Sequence, residues 1–286
     1  MTLRLLAVHA HPDDESSKGA ATYAYYRSLG ARVCVVSCTG GEGGSVLNEG
    51  LAERAQAERD ISGLRRSEMR NAQAVMDIEH RWLGYQDSGM PAEGEPLPPA
   101  SFAAIPLATS AAPLVAIIRR FRPQVVITYD ENGGYPHPDH VRTHEVTMFA
   151  HRAAADPAIY PEAGPAWQVS KVYYDHIFNS SRMNRMYEVL RTREPDSPLV
   201  KQLEDLRERM GDRPDRATTH VPVGEFFDVR DAALRSHASQ VAPDSAFFFW
   251  PNELQREAWP TEDFELVESL VTTDLPETDL FAGVVV

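Results

Sequence analysis

The feature that most limits how this chain can fold is a repeated local order. A short apolar β run ends abruptly, and a turn dense in proline, histidine and aspartate follows it. Leu3 to Ala10 is the first such run, continued by His11-Pro12-Asp13-Asp14-Glu15. Gln124 to Tyr129 is the second, followed shortly by Tyr135-Pro136-His137-Pro138-Asp139-His140. Such residues suit neither strand nor helix interiors, so both clusters read as loops, where function concentrates. Ser16 or Ser17 is placed to cap a helix running to about Leu29, and Gly30 ends it. Arg32 to Ser37 is another β-rich run. A β–turn–helix–β succession implies a parallel sheet with right-handed crossovers, hence the α/β class.

Further along, helical periodicity is strongest from Leu64 to Met76, and Arg81 to Gly84 reads as a short strand. Met90 to Pro106 is proline-rich and reads as an irregular surface loop. Ser110 to Phe121 reads as a helix closed by Arg122-Pro123, and His140 to Ala155 as another. From about Pro157 the pattern changes. Lys171 to Phe178 reads as a strand. Arg182 to Met210 is charged and helix-prone, with no chemistry of its own. Val229 to Gln240 looks helical, and the acidic, aromatic stretch from Phe247 to Val286 is expected to pack over the sheet. The expected division is a main domain over residues 1–170 and a smaller C-terminal α+β portion over 171–286, packed on it at the substrate side.

At 286 residues and 43% apolar, the chain has ample material for a core of this kind. Its formal charge of −14 repels nucleic-acid phosphates and anionic membrane surfaces, so neither is an expected partner. No apolar stretch approaches the length of a membrane span, and the N-terminus has no signal-peptide pattern, which together imply the cytoplasm. Cys34 and Cys38 lie on one strand face, where a disulfide is geometrically poor, and read as buried thiols. No sequence feature sets an oligomeric state.

In an open parallel sheet, ligands bind beyond the C-terminal strand ends, at the switch point. Both clusters follow strands, so the sheet brings them to one edge. Zinc hydrolases need about three nitrogen or oxygen ligands and one open position for water. They also need a base to take the proton from that water. His11, Asp14 and His140 supply two imidazoles and a carboxylate. Asp13, beside Asp14, can serve as the base. His137 can act as a cation or general acid opposite it, with Asp139 orienting its other ring nitrogen, and Tyr135 can donate to a developing oxyanion. His144, four residues beyond His140, lacks the internal glutamate of the metalloprotease pattern and reads as a supporting histidine. His9 does likewise.

The motifs Ala10-His11-Pro12-Asp13-Asp14-Glu15 and Tyr135-x-His137-Pro138-Asp139-His140 resemble those of the LmbE-like N-acetylglucosaminyl deacetylase superfamily. That resemblance implies a Rossmann-like, mostly parallel sheet flanked by helices. It also implies one zinc ion per chain, held by His11, Asp14 and His140, with ferrous iron as the alternative occupant. Asp13 is then the general base, and His137 and Tyr135 stabilise the tetrahedral intermediate. Ala7 to Thr22, Thr128 to His140, Trp259 to Leu266 and Glu277 to Gly283 are most similar to the branch acting on mycothiol and its precursors. The likeness spans nearly the whole chain and is weakest from about Ser180 to Pro222. It implies hydrolysis of mycothiol S-conjugates or, alternatively, deacetylation of N-acetylglucosaminyl-inositol. It also makes Arg65 and Asp87, with Glu42 of the glycine-rich loop, candidates for holding the sugar part. Lys18 has two readings: an ion pair with Asp14 or Glu15, or a donor to the substrate. A cation there, in the first turn of the expected helix, opposes the helix dipole. The remaining class, a metal-stabilised sugar-binding protein without catalysis, has no use for a base such as Asp13.

Overall fold

A computed structural model describes residues 2–285 apart from Glu53, Glu93, Asp212, Arg213 and Ala246. Its centre is a sheet of seven strands: β1 (Arg4–His9), β2 (Arg32–Thr39), β3 (Glu79–Tyr85), β4 (Val125–Thr128), β5 (Lys171–Asp175), β6 (Thr219–Pro222) and β7 (Thr261–Ser269). The strand order is β3-β2-β1-β4-β5-β7-β6. The first five strands run parallel, and β7 and β6 add an antiparallel margin. β1, β2 and β4 are continuous apolar runs because both faces of a parallel sheet are covered. Side chains alternate between those faces. Leu5 and Ala7 pack on one side, and Leu6 and Val8 on the other.

The helices are α1 (Asp14–Ser17), α2 (Ala20–Ser28), α3 (Arg54–Ala57), α4 (Ile61–Met76), α5 (Leu107–Phe121), α6 (Pro138–Ala155), α7 (Ser180–Arg193), α8 (Pro198–Met210), α9 (Phe227–Ser236) and α10 (Asn252–Ala258). Tyr23 of α2, Met76 of α4 and Phe227 of α9 join the core with Leu5. Leu114 of α5 and Val146 of α6 join the opposite core with Leu6. A third apolar cluster stands apart from the sheet, where Met183, Tyr187 and Leu190 of α7 meet Leu203 of α8.

Three sequence expectations are revised. The expected helix from Ser16 to Leu29 is two helices, and neither serine caps it. Gly19 interrupts at φ +152, and a Cβ there would lie 2.5 Å from the Tyr23 ring, so the close packing of that ring demands glycine and breaks the helix. The stretch expected to lie over the sheet instead enters it as β7. Its acidic residues are buried in pairs: Glu262 accepts from the Thr22 amide at 2.9 Å, and Asp263 from Trp259 Nε1 at 2.6 Å. Finally, the sheet runs unbroken across residue 170, since β4 pairs with β5. The C-terminal residues therefore extend the first layer rather than only resting on it. Beneath that margin the fully buried Lys171 pairs with Glu277, which also accepts from Tyr173 at 2.6 Å. Among the described residues no helix is long and apolar enough to cross a membrane.

Candidate active site

β1 and β4 are neighbours at the point where the strand order reverses, and the loops after them meet. The first loop folds back on itself, with the His11 amide donating to Asp14 Oδ2 at 3.0 Å. Asp13 takes φ +99, a conformation that costs a non-glycine residue about 1–3 kcal/mol. Its amide donates to Glu15 at 3.0 Å, and Glu15 is held by the buried His237 at 2.7 Å. The second loop starts α6. His137 is the helix cap, and its Nδ1 accepts the Asp139 amide at 3.1 Å.

This brings three donors together. Asp14 Oδ2 lies 3.6 Å from His11 Nδ1 and 3.4 Å from His140 Nε2. Ligands bound tetrahedrally at about 2.0–2.1 Å sit roughly 3.3 Å apart, so the spacing fits one divalent ion. His140 Nε2 is buried without a hydrogen-bond partner, while its Nδ1 faces the Gly133 carbonyl at 2.9 Å. An orphaned imidazole nitrogen, its opposite nitrogen tethered to a carbonyl, is the arrangement of a metal-ligating histidine. A second metal-capable group, His11 with His137 and Asp139, shares His11, but there the His137 Nδ1 is already used as the helix cap. Burial raises the Asp14 carboxyl, but His140 and Lys18 outweigh it and hold it well below the usual carboxylate range. Burial lowers His11, but Asp139 and Asp14 outweigh it and raise it to about 10.

The surrounding side chains differ in what they can do. The Asp13 carboxylate reaches the cavity beside Asp14 and pairs with Arg65 at 3.1 Å. Burial raises its pKa, against the lowering influence of Arg65, toward the range where a carboxylate accepts a proton usefully. His137 is lowered to about 4 by burial and by the nearby His11 and His140. It is therefore neutral, and with Nδ1 accepting, its proton sits on Nε2. Tyr135 is 43% exposed, its ring 4.5 Å from that of His140.

A family model described as GlcNAc-PI de-N-acetylase, PIG-L, matches residues 6–151, which contain both loops. A mycothiol S-conjugate amidase of Streptomyces coelicolor is 52% identical over 99% of this chain and 97% of its own. The chain belongs to the PIG-L family. A 1D-myo-inositol 2-acetamido-2-deoxy-alpha-D-glucopyranoside deacetylase of Geodermatophilus obscurus is 42% identical, covering 98% of this chain and 97% of that one. The N,N'-diacetylchitobiose deacetylase of Pyrococcus horikoshii superposes with a TM-score of 0.61 at 18% identity, over 92% of this chain and 83% of that one. At that identity the likeness is one of fold.

Within this PIG-L site, four assignments change. Asp139 does not orient His137. Its Oδ2 accepts from His11 Nε2 at 3.3 Å and from the Ser88 amide at 2.9 Å, so it fixes His11 with Nδ1 turned to Asp14. Arg65 is 4% exposed, with its guanidinium turned to the backbone of the loops. Its guanidinium donates to the Gly41 carbonyl at 2.8 Å, to the Pro12 carbonyl, and to Asp13. Glu42 accepts the Asp87 amide at 3.0 Å and so ties the glycine-rich loop to the next one. Lys18 sits at the end of α1 rather than in a first helical turn, so the dipole objection lapses, and its Nζ lies 2.5 Å from Asp14 Oδ1. Asp87 accepts from the amides of Gly89 at 2.7 Å and Gly43 at 3.2 Å, and lies 3.7 Å from His11 Nε2.

Four residues of the PIG-L site went unassigned in the sequence. Tyr129 accepts no role from its strand position, yet its hydroxyl receives the Ala10 amide at 2.9 Å and its ring stacks on His140 at 4.5 Å. Glu15 and His237 lock the Asp13 turn. Asp175, at the end of β5, borders the cavity, where burial raises it to about 7. Only Glu15, inside the motif, carried a local signal. The others are brought in by tertiary packing.

Proposed function

We propose that this chain is a cytoplasmic zinc-dependent amidase that cleaves mycothiol S-conjugates. The products are an N-acetylcysteine S-conjugate, a mercapturic acid, and glucosaminyl-inositol, as in detoxification. A zinc ion held by His11, Asp14 and His140 would supply Lewis-acid polarisation of the amide carbonyl and acidify water. Asp13 takes the proton from the attacking water at its carboxylate. His137 donates from Nε2, and Tyr135 from its hydroxyl, to the oxygen that gains charge. Asp139 holds His11 in the required tautomer, and Arg65 holds the Asp13 loop. Asp87 is left to accept from the sugar hydroxyls, beside the loop of Gly43.

The observation that carries the choice of acyl group is a cavity of about 720 Å³ that opens beside Asp13, Asp14 and Lys18. An acetyl group leaves nearly all of it unfilled, whereas an N-acetylcysteine bearing an S-substituent uses it. The 52% identity to a relative named an amidase, against 42% to one named a deacetylase, points the same way. Deacetylation of N-acetylglucosaminyl-inositol is the second reading, favoured by relatives of that name and by the same hydrolytic residues. The deciding measurement compares kcat/KM for the bimane S-conjugate of mycothiol with that for N-acetylglucosaminyl-inositol, with and without a chelator. The conjugate is expected to win. The reverse order makes the chain a deacetylase.

A further inference from the structure

The charged stretch from Arg182 to Met210, which showed no chemistry in the sequence, contributes Leu206 to the lining of the active-site cavity. Beside the metal-capable residues the cavity is polar, with Asp13, Asp14 and Lys18. Another part of its lining is apolar: Phe178, Leu206, Phe247 and Phe248. Phe178 and Phe247 stack with ring centroids 5.4 Å apart, and Phe248 meets Phe247 edge-on at 4.8 Å. Phe247 nevertheless stays 46% exposed, an aromatic face left open toward the cavity.

The same four residues also line a smaller hollow of about 40 Å³, together with Met183, Met186 and Trp250. Methionines adapt their shape to irregular contacts. The wall rests on the α7–α8 cluster, outside the two cores that flank the sheet. A wall of this build can shift without disturbing the strands that carry the metal-capable loops.

We infer that this aromatic wall is the subsite for the sulfur-borne substituent of the substrate, and that it favours large apolar or aromatic groups of varied shape. The inference rests on the amidase reading. On that reading the sugar side of the scissile amide lies near Asp87 and the glycine-rich loop, where Asp87 joins Gly43 to His11. The acyl side must then extend the other way, past Tyr135 toward β5 and the wall. An S-substituent lies several bonds beyond the carbonyl carbon, far enough to pass the polar part of the cavity. Stacking on exposed aromatic rings is the natural use of such a surface for apolar groups.

The test uses full-length, zinc-loaded enzyme and two synthetic conjugates of mycothiol, S-benzyl and S-methyl. Wild type is expected to show a higher kcat/KM for the S-benzyl conjugate. Phe247→Ala should reduce the S-benzyl to S-methyl ratio roughly ten-fold, equivalent to about 1.4 kcal/mol. Leu206→Ala should reduce the same ratio in the same direction. The ratio is insensitive to how much of each variant folds. An unchanged ratio in both variants overturns the subsite while leaving the amidase reading in place. A wild-type enzyme that hydrolyses neither conjugate overturns the amidase reading and the subsite with it.

Discussion

Replacing Arg65 by methionine keeps most of the side-chain volume and removes the guanidinium. The buried Pro12 carbonyl then loses its donor, while the Gly41 carbonyl keeps only the Gly44 amide. An unpaired buried acceptor costs about 1–3 kcal/mol, and that is the expected loss of stability. The position cannot relax cheaply: Gly41 stands at φ +67, and a Cβ there would lie 2.1 Å from Arg65 Nη1, so the loop is moulded around the arginine. Catalysis should change in a separable way. Burial raises the Asp13 carboxyl and Arg65 is the strongest influence opposing it. Without that cation the carboxyl rises further, and the acid limb of the kcat/KM profile moves to higher pH. Urea unfolding gives the stability change at constant m-value, and the pH profile of the zinc-loaded variant gives the other. Unchanged stability and an unmoved acid limb, with only a higher KM, would refute the strut and return Arg65 to the substrate.

Asp13→Asn should keep its zinc and lose turnover by about two to four orders of magnitude, whereas His140→Ala should lose both together. Zinc content by atomic absorption separates them, and loss of metal in the Asp13 variant would make Asp13 a ligand. His80 is lowered to about 4 by burial and faces Ser37 at 2.9 Å. Between its ordinary value of 6.5 and about 4 the unfolded chain binds a proton that the fold does not, so stability drops as pH falls through that window. The upper bound is about 3 kcal/mol. His80→Gln should therefore lose less stability than wild type between about pH 7 and pH 5 in urea titrations, and parallel losses would contradict this.

What could be read ahead of the structure followed from local rules. Buried parallel strands are continuous apolar runs, so β1, β2 and β4 stand out. Metal-ligand chemistry gathers scarce residue types into two contiguous turns, so His11, Asp14 and His140 do too. Contacts made across the fold left no such mark. Asp139 lies two residues from His137, yet its carboxylate crosses to His11, 128 residues away. His237 reaches Glu15 across 222 residues. β7 hid its strand character because Glu262 and Asp263 are buried and accept hydrogen bonds from Thr22, Trp259 and His220. Acidic residues at such positions look like surface until their partners are known.

The reversal of strand order between β1 and β4 has a bearing on how such a hydrolase can acquire new substrates. The hydrolytic loops occupy the middle of the sheet, while the residues proposed for the sugar flank lie before Leu107 and the proposed aromatic wall lies after Thr128. A recombination event, or a chimaera made at the bench within α5, exchanges one flank whole. Such a hybrid would take the proposed sugar flank from one parent and the proposed acyl flank from the other. The same breakpoint parts His11 and Asp14 from His140, so only parents that share the metal-capable set can exchange flanks in this way.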